Sequence, residues 1–338
     1  MSSLIVEISR IEAVAPHPNA DALELGQIKG WQVCVPKGKY APGDLVTYVP
    51  IDAVIPVEHS DRWGITKYLS NGRVRCARLR GEPSFGVVLD RELDWPEGAD
   101  VAAHYGITKY EPPLRLNAGD AEPEHALFFR YSEVENMRNF PAIFTSDEPV
   151  IVTEKIHGTN CRVGIVEGQV VAGSRLQQRK RPEGDAFERS TYWFPYSLES
   201  VKSLLHSVQE TGARQVILFG EVYGSKIQSL DYGCKGKLGF RAFDLLVDGD
   251  WVDWHAFTGL CETHGVEWVP EIWTGPFSLD QIRQVASGQT QLEAGHIREG
   301  VVVKPLKGRR HPALGRVVLK YISDEYLFGK GITDSLDV

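Results

Sequence analysis

Over the first hundred positions apolar and polar residues alternate in short runs. Leu4-Ile5-Val6-Glu7-Ile8 and Trp31-Gln32-Val33-Cys34-Val35 carry the two-residue period of half-buried strands, and residues 45–49 and 85–89 add two more. Turn chemistry separates them at His17-Pro18-Asn19, Lys37-Gly38, Pro42-Gly43-Asp44 and Gly81-Glu82-Pro83. Many short strands with few helical patterns predict an all-β barrel over residues 1–109. Residues 110–135 are polar and punctuated by proline, which predicts a linker. Beyond it the periodicity is mixed. Leu198, Val201, Leu204, Leu205 and Val208 fall at helical spacing before Gly212, and residues 254–264 and 279–286 read as two more helices. Runs rich in apolar residues at 149–152, 216–219, 240–247, 300–303 and 317–319 read as buried strands. Residues 136–338 are therefore expected to form an α+β domain with largely antiparallel sheets.

A chain of 338 residues has room for two cores, and 42% hydrophobic with 24% charged residues is an ordinary globular balance. The start shows no basic region followed by an apolar stretch, and no apolar run reaches membrane-spanning length. The five cysteines lack C-x-x-C spacing, which argues against a zinc site or disulfide framework and for a reducing, cytoplasmic setting. A net charge of −8 counts against a protein that coats nucleic acid non-specifically. Two basic clusters stand against that background: Arg175, Arg179, Lys180 and Arg181, then Lys304, Lys307, Arg309, Arg310 and Arg316. Each reads as a solvated loop or as the wall of a phosphate-lined groove.

The chemistry concentrates in Glu154-Lys155-Ile156-His157-Gly158-Thr159-Asn160, entered from Pro149-Val150-Ile151-Val152. A lysine at a strand end, followed by a glycine turn, is placed to aim an amine at a phosphate. A free lysine titrates near 10.4, so it must lose a proton to act as a nucleophile. Lys304 and Lys320 could promote that loss through a positive field. Glu221, read as a strand-end carboxylate between apolar residues, and Glu299, before Gly300, invite a functional reading. Each has a plainer alternative: Lys155 as a snorkelling surface residue, His157 and Asn160 as turn-satisfying side chains, Arg175 as a hairpin arginine, Phe240 and Phe243 as core.

The ordered series, from the lysine motif through Phe219-Gly220-Glu221-Val222-Tyr223-Gly224, residues 240–244 and Glu299-Gly300-Val301-Val302-Val303-Lys304 to Val317-Val318-Leu319-Lys320, resembles the covalent nucleotidyltransferases, and among them the ATP-dependent RNA ligases. The segment 224–233 supports the same alignment. The resemblance covers residues 136–328 and implies a ligase domain whose Lys155 takes AMP from ATP. His157 and Asn160 complete a variant seen in RNA ligases of the phage T4 second-ligase type. By the same resemblance Glu154, Ile156, His157, Asn160, Arg175, Glu221, Phe243, Lys304 and Lys320 bind the nucleotide. Phe243 stacks on adenine, with Phe240 as competitor, and Glu221 holds the ribose. Glu299, Lys304 and Lys320 join Lys155 in catalysis, and Glu299 and Glu221 are the candidates for Mg²⁺ or Mn²⁺. One departure is Val318, where many relatives carry a lysine. His17-Pro18-Asn19-Ala20-Asp21-Ala22-Leu23, Pro42-Gly43-Asp44 and residues 78–86 in turn resemble the OB-type tRNA-binding module.

An N-terminal OB module before a ligase domain, with none expected after it, resembles the Deinococcus-type RNA ligases. It implies an enzyme that joins RNA 3′-hydroxyl and 5′-phosphate ends in nicked duplexes through lysyl-AMP and RNA-adenylate. A DNA ligase and a non-catalytic RNA-binding protein are the rival readings. RNA and ATP are the expected partners, with no membrane, and a monomer is the working expectation.

Overall fold

The computed structural model describes residues 4–328 apart from 112–119, 225, 226, 229, 231 and 293. Part of the expected linker and part of the 224–233 segment thus lie outside the described residues. The chain divides into two compact units. One comprises residues 1–114 with 136–141 and 327–338, and the other 115–135 with 142–326.

The first unit is a closed β-circuit. Glu7–Arg10 pairs antiparallel with Leu45–Val49, which pairs with Val87–Asp90. Ala13–Pro16 continues the first strand and pairs with Leu23–Ile28, which pairs with Trp31–Pro36. The Phe85 N–H donates to the Gln32 carbonyl at 2.8 Å, and the Cys34 N–H donates to the Ser84 hydroxyl. Those bonds tie the third strand to the segment that leads into the last, giving the five-stranded barrel of an OB fold. Trp31 and Tyr48 belong to its interior, and the Tyr48 hydroxyl donates to the Phe85 carbonyl. The run expected from 85 begins as a strand only at Val87. Gly86 sits at φ 118°, with the Tyr48 ring 2.7 Å from where a Cβ would lie, so the chain bends there.

The second unit is built on two large antiparallel sheets. In the first, Leu319–Ile322, Gly300–Pro305, Pro149–Glu154 and Glu271–Pro276 lie side by side in that order. The second runs Gln178–Arg179, Gln169–Ser174, Thr159–Val166, Gln215–Gly224, Leu238–Val247 and Asp250–Trp251. Helix Glu199–Gln209 buries Val201, Leu204, Leu205 and Val208 in the core that holds Val163 and Leu218. That apolar stripe is what its sequence spacing encodes. Helices Trp254–His264 and Leu279–Ala286 occupy the expected residues. The first ends at Gly265 in the left-handed region, and Ser278 caps the second by accepting the Gln281 N–H. α+β with antiparallel sheets, preceded by an all-β barrel, is the architecture found.

Two expectations change. Val317 and Val318 are buried but precede the strand, which starts at Leu319. Within the stretch read as linker, Phe128 and Tyr131 are buried against Val166, Ile217, Phe219 and Leu246 of the second unit. Aromatic anchors outweigh a polar, proline-rich composition.

Candidate active site

Strand register explains why the lysines converge. Ile151 pairs with Lys304 and Thr153 with Val302, while Val302 pairs on its other side with Lys320. Side chains two apart on a strand share a face, so Thr153, Lys155, Val302, Lys304 and Lys320 line one wall. Lys155 follows the last paired residue, and its N–H still donates to the Gly300 carbonyl at 3.0 Å. That bond sets it beside Glu299. Asn160 and Glu221 pair on the second sheet and form the facing wall with Phe243. The cavity between them is ≈ 120 Å³ and is also lined by Tyr131, Val134, Glu154, Ile156 and Val269. Small-molecule pockets usually span roughly 300–1,000 Å³, so rim side chains must shift to admit a nucleotide. A wider open groove of ≈ 540 Å³ beside Arg241 and Trp268 contains none of the lysines.

Gly158 lets the lysine turn approach the second sheet. A Cβ there would lie 2.4 Å from the Val222 carbonyl oxygen and 2.8 Å from Glu221 Cγ. The Lys155 Nζ stands 2.5 Å from Oε1 of the fully buried Glu299, an ion pair. His157 Nδ1 is 3.1 Å from the other oxygen. Burial pushes the Glu299 carboxyl up, but Lys155 and His157 pull harder and hold it below the usual carboxylate range. His157 is itself buried, with its N–H donating to the Tyr232 hydroxyl, so it backs Glu299 rather than lining the cavity. The sequence suggested an amine in a field of cations. The structure sets a carboxylate against it.

Lys304 is engaged elsewhere. Its Nζ donates to Asp244 Oδ2 and to the Phe243 carbonyl, each at 2.7 Å. Asp244 also accepts two bonds at 2.9 Å from the Arg316 guanidinium and one from the Tyr131 hydroxyl. Burial raises the Asp244 carboxyl, but Lys304 and Arg316 overcome it and bring it to about 2. Burial, reinforced by Arg316 and opposed by Asp244, lowers the Lys304 ammonium to about 8.

Phe243 owes its position to a β-bulge. Phe219 pairs with Asp244 and Gly220 with Ala242, leaving Phe243 without a partner and its ring at the cavity. Phe240 is buried against Gly220 in the core. Glu221 lies inside the ten-residue strand Gln215–Gly224 rather than at its end, and is half-buried. The buried Glu154 accepts from the Thr290 hydroxyl and, at 2.8 Å, from the Gln291 N–H. Arg175 pairs with Glu133 at 3.6 Å and does not line the cavity.

The RNA ligase family model matches residues 148–322, just over half the chain. The chain belongs to the RNA ligase family. A model of an OB-fold domain matches residues 5–91. No curated protein sequence matches the chain. Among solved structures, a lysine-to-alanine mutant of Naegleria gruberi RNA ligase with ATP and Mn is 25% identical, with a TM-score of 0.75. The match covers 96% of this chain and 98% of that one. The same organism's RNA ligase with PPi is likewise 25% identical over 96% and 98%, with a TM-score of 0.72.

Tyr131, Asp244 and Arg316 are the ligase residues that motif reading left without a site role. Asp244 stood next to Phe243 in the sequence, and Arg316 sat in a basic cluster. Their convergence needs residues 131, 244, 304 and 316 to meet, and no local pattern announces that. A divalent cation fits the donors present in a limited way. No group of three or more His, Cys, Asp or Glu side chains suited to a metal occurs among the described residues. Asn160 Oδ1 is buried at the cavity without a hydrogen-bond partner, and Glu221 lines the same wall. One or two carboxylates completed by substrate phosphates is the usual arrangement for Mg²⁺.

Proposed function

We propose that this RNA ligase uses ATP to join an RNA 3′-hydroxyl to a 5′-phosphate at nicks in duplex RNA, with Lys155 as the nucleophile. The observation that supports this most is the Lys155 amine held by Glu299 at a cavity whose facing wall presents Phe243, Glu221 and Asn160. Lys155 Nζ would attack the α-phosphorus of ATP, forming an N–P bond as pyrophosphate leaves and the amine loses its proton. The RNA 5′-phosphate would then take the AMP and free the lysine. The 3′-hydroxyl would finally attack that phosphate and expel AMP.

The residues divide the work. Phe243 offers a ring face to the base, and Glu221 a carboxylate to the ribose. Lys304 and Lys320 place positive charge where phosphate oxygens gather it in the transition state. Arg175 is proposed to reach a phosphate only when it leaves Glu133. When bound, a divalent cation would supply further charge at the phosphates, held by Glu299, Glu221 and Asn160. The nicked substrate, the two covalent intermediates, a monomeric state and a cytoplasmic setting are parts of the same proposal. Among the described residues no helix is long and apolar enough to cross a membrane.

The test is incubation with α-labelled ATP and Mg²⁺ or Mn²⁺, followed by denaturing electrophoresis. Wild type should carry label, and Lys155→Ala should not. Label that survives in Lys155→Ala, or none on wild type, would sink the assignment. Nicked duplexes with RNA or DNA at the 3′-hydroxyl end test the substrate, and equal sealing of all-DNA nicks would defeat the RNA reading.

A further inference from the structure

The first unit holds a concentration of positive charge that the ligase chemistry does not use. Acidic residues outnumber basic ones 45 to 37 over the whole chain. Yet residues 62–80 contain Arg62, Lys67, Arg73, Arg75, Arg78 and Arg80 and no Asp or Glu. Two of the six serve the fold: Arg62 pairs with Glu92 at 2.8 Å, and Arg73 with Asp52 at 2.5 Å. Lys67, Arg75 and Arg80 are exposed and have no carboxylate within 4 Å among the described residues, and Arg78 is exposed beside them. Arg78 also donates to the Gly81 carbonyl at 3.3 Å. Like charges this dense repel one another, and Lys67, Arg75 and Arg80 form no ion pair among the described residues that offsets that repulsion.

Position gives the ribbon a use. It lies in the connection between the fourth and fifth strands of the barrel, which runs from Val49 to Val87. The connection between the first two strands touches it. The buried His17 accepts the Asn19 N–H on Nδ1, so its Nε2 carries the proton and donates to the Leu79 carbonyl at 3.0 Å. The Asn19 amide donates to the Arg80 carbonyl at 3.2 Å. The His-Pro-Asn turn is therefore a clamp that fixes the backbone carrying Arg78 and Arg80. In OB barrels these two connections form an oligonucleotide-binding edge. Tyr68, 57% exposed with the Lys67 ammonium over its ring, adds a face on which an unpaired base can stack.

We infer that Arg75, Arg78 and Arg80, held by the His17–Asn19 clamp, grip the phosphate backbone of RNA independently of sequence. The inference rests on the RNA substrate proposed above. It concerns binding alone, so it can fail while lysyl-AMP formation stands.

The experiment uses the full chain, comparing wild type with an Arg75→Ser, Arg78→Ser, Arg80→Ser triple variant. Affinity for a fluorescent nicked RNA duplex is read by anisotropy between 50 and 200 mM KCl, and self-adenylylation is measured in parallel. Each lost phosphate contact lowers the salt slope by about 0.9, so three should make it shallower by about 2 to 3 and weaken binding about ten-fold or more at 0.1 M salt. Adenylylation should persist. Equal affinity and slope in the two proteins would overturn the inference and leave the ribbon to an acidic protein partner. Should the serine variant lose adenylylation as well, the Arg→Lys triple variant decides. Retained RNA binding supports a charge-only grip, and lost binding refutes it.

Discussion

At the residue scale, the two phenylalanines of one strand have different fates that can be separated. Phe243, bulged out at the cavity, should contribute stacking, which is worth about 1–3 kcal/mol per base. Phe243→Ala is expected to raise KM for ATP about ten-fold with little loss of melting temperature. Phe240→Ala removes a core ring and should cost about 3–5 kcal/mol of stability, while KM of the folded fraction stays near wild type. Urea melts and steady-state adenylylation check both, and the reverse pattern would reassign the adenine platform. kcat/KM for ATP should fall on the alkaline side in a limb that reports a group of the free enzyme. Lys304, lowered by burial to about 8, loses its charge as pH rises through that value, so the alkaline limb should belong to it. Lys304→Arg keeps the charge and should remove that limb. A limb that stays in place in Lys304→Arg would detach Lys304 from it.

At the element scale, the lysine turn works because one residue has no side chain. Gly158→Ala would drive a methyl group into the Val222 carbonyl and Glu221, both on the strand that faces the cavity. Overpacking of this kind costs typically about 1–3 kcal/mol. The expected result is a lower melting temperature together with a fall in adenylylation larger than the unfolded fraction explains, because Lys155 and Glu221 move apart. Activity that simply tracks the folded fraction would show the turn to be structural only. This level also shows what the sequence made legible. The helices at 254–264 and 279–286 could be read to the residue, since amphipathic spacing and a glycine or serine cap are local signals. That Lys155, Glu221, Lys304 and Lys320 meet at one cavity agrees with the ordered motifs, which place each of them at or near a strand. The bulge at Phe243 was not legible, because it depends on which residues of the neighbouring strand are opposite. Nor was the burial of Phe128 and Tyr131, since their contacts are supplied by strands 34 or more residues away in the chain. Arg175 shows the converse, a motif position that the fold ties to Glu133.

At the scale of the whole molecule, the same buried charges that shape the cavity make stability depend on acid. Asp244 is wholly enclosed, and its carboxyl, brought from 3.8 to about 2 by Lys304 and Arg316 against the pull of burial, is more acidic folded than unfolded. The sign follows directly. Its contribution is complete above the unfolded value and drains away as pH falls through the folded one. A shift of this size is worth about 2 kcal/mol at neutral pH, of which about 1 kcal/mol is gone by pH 3. Asp244→Asn leaves Lys304 and Arg316 buried without their counter-charge, and breaking such a pair costs about 3–5 kcal/mol. Urea unfolding of wild type and variant at pH 7 and pH 3 should therefore show a gap that narrows by about 1 kcal/mol on acidification. The other carboxylates titrate alike in both proteins and cancel in the difference. A gap that stays constant would mean that Asp244 is not the acid-sensitive tie between the two sheets. A gap that narrows would show that the cation cluster at the cavity is held in place at a cost to the fold that a single carboxylate offsets.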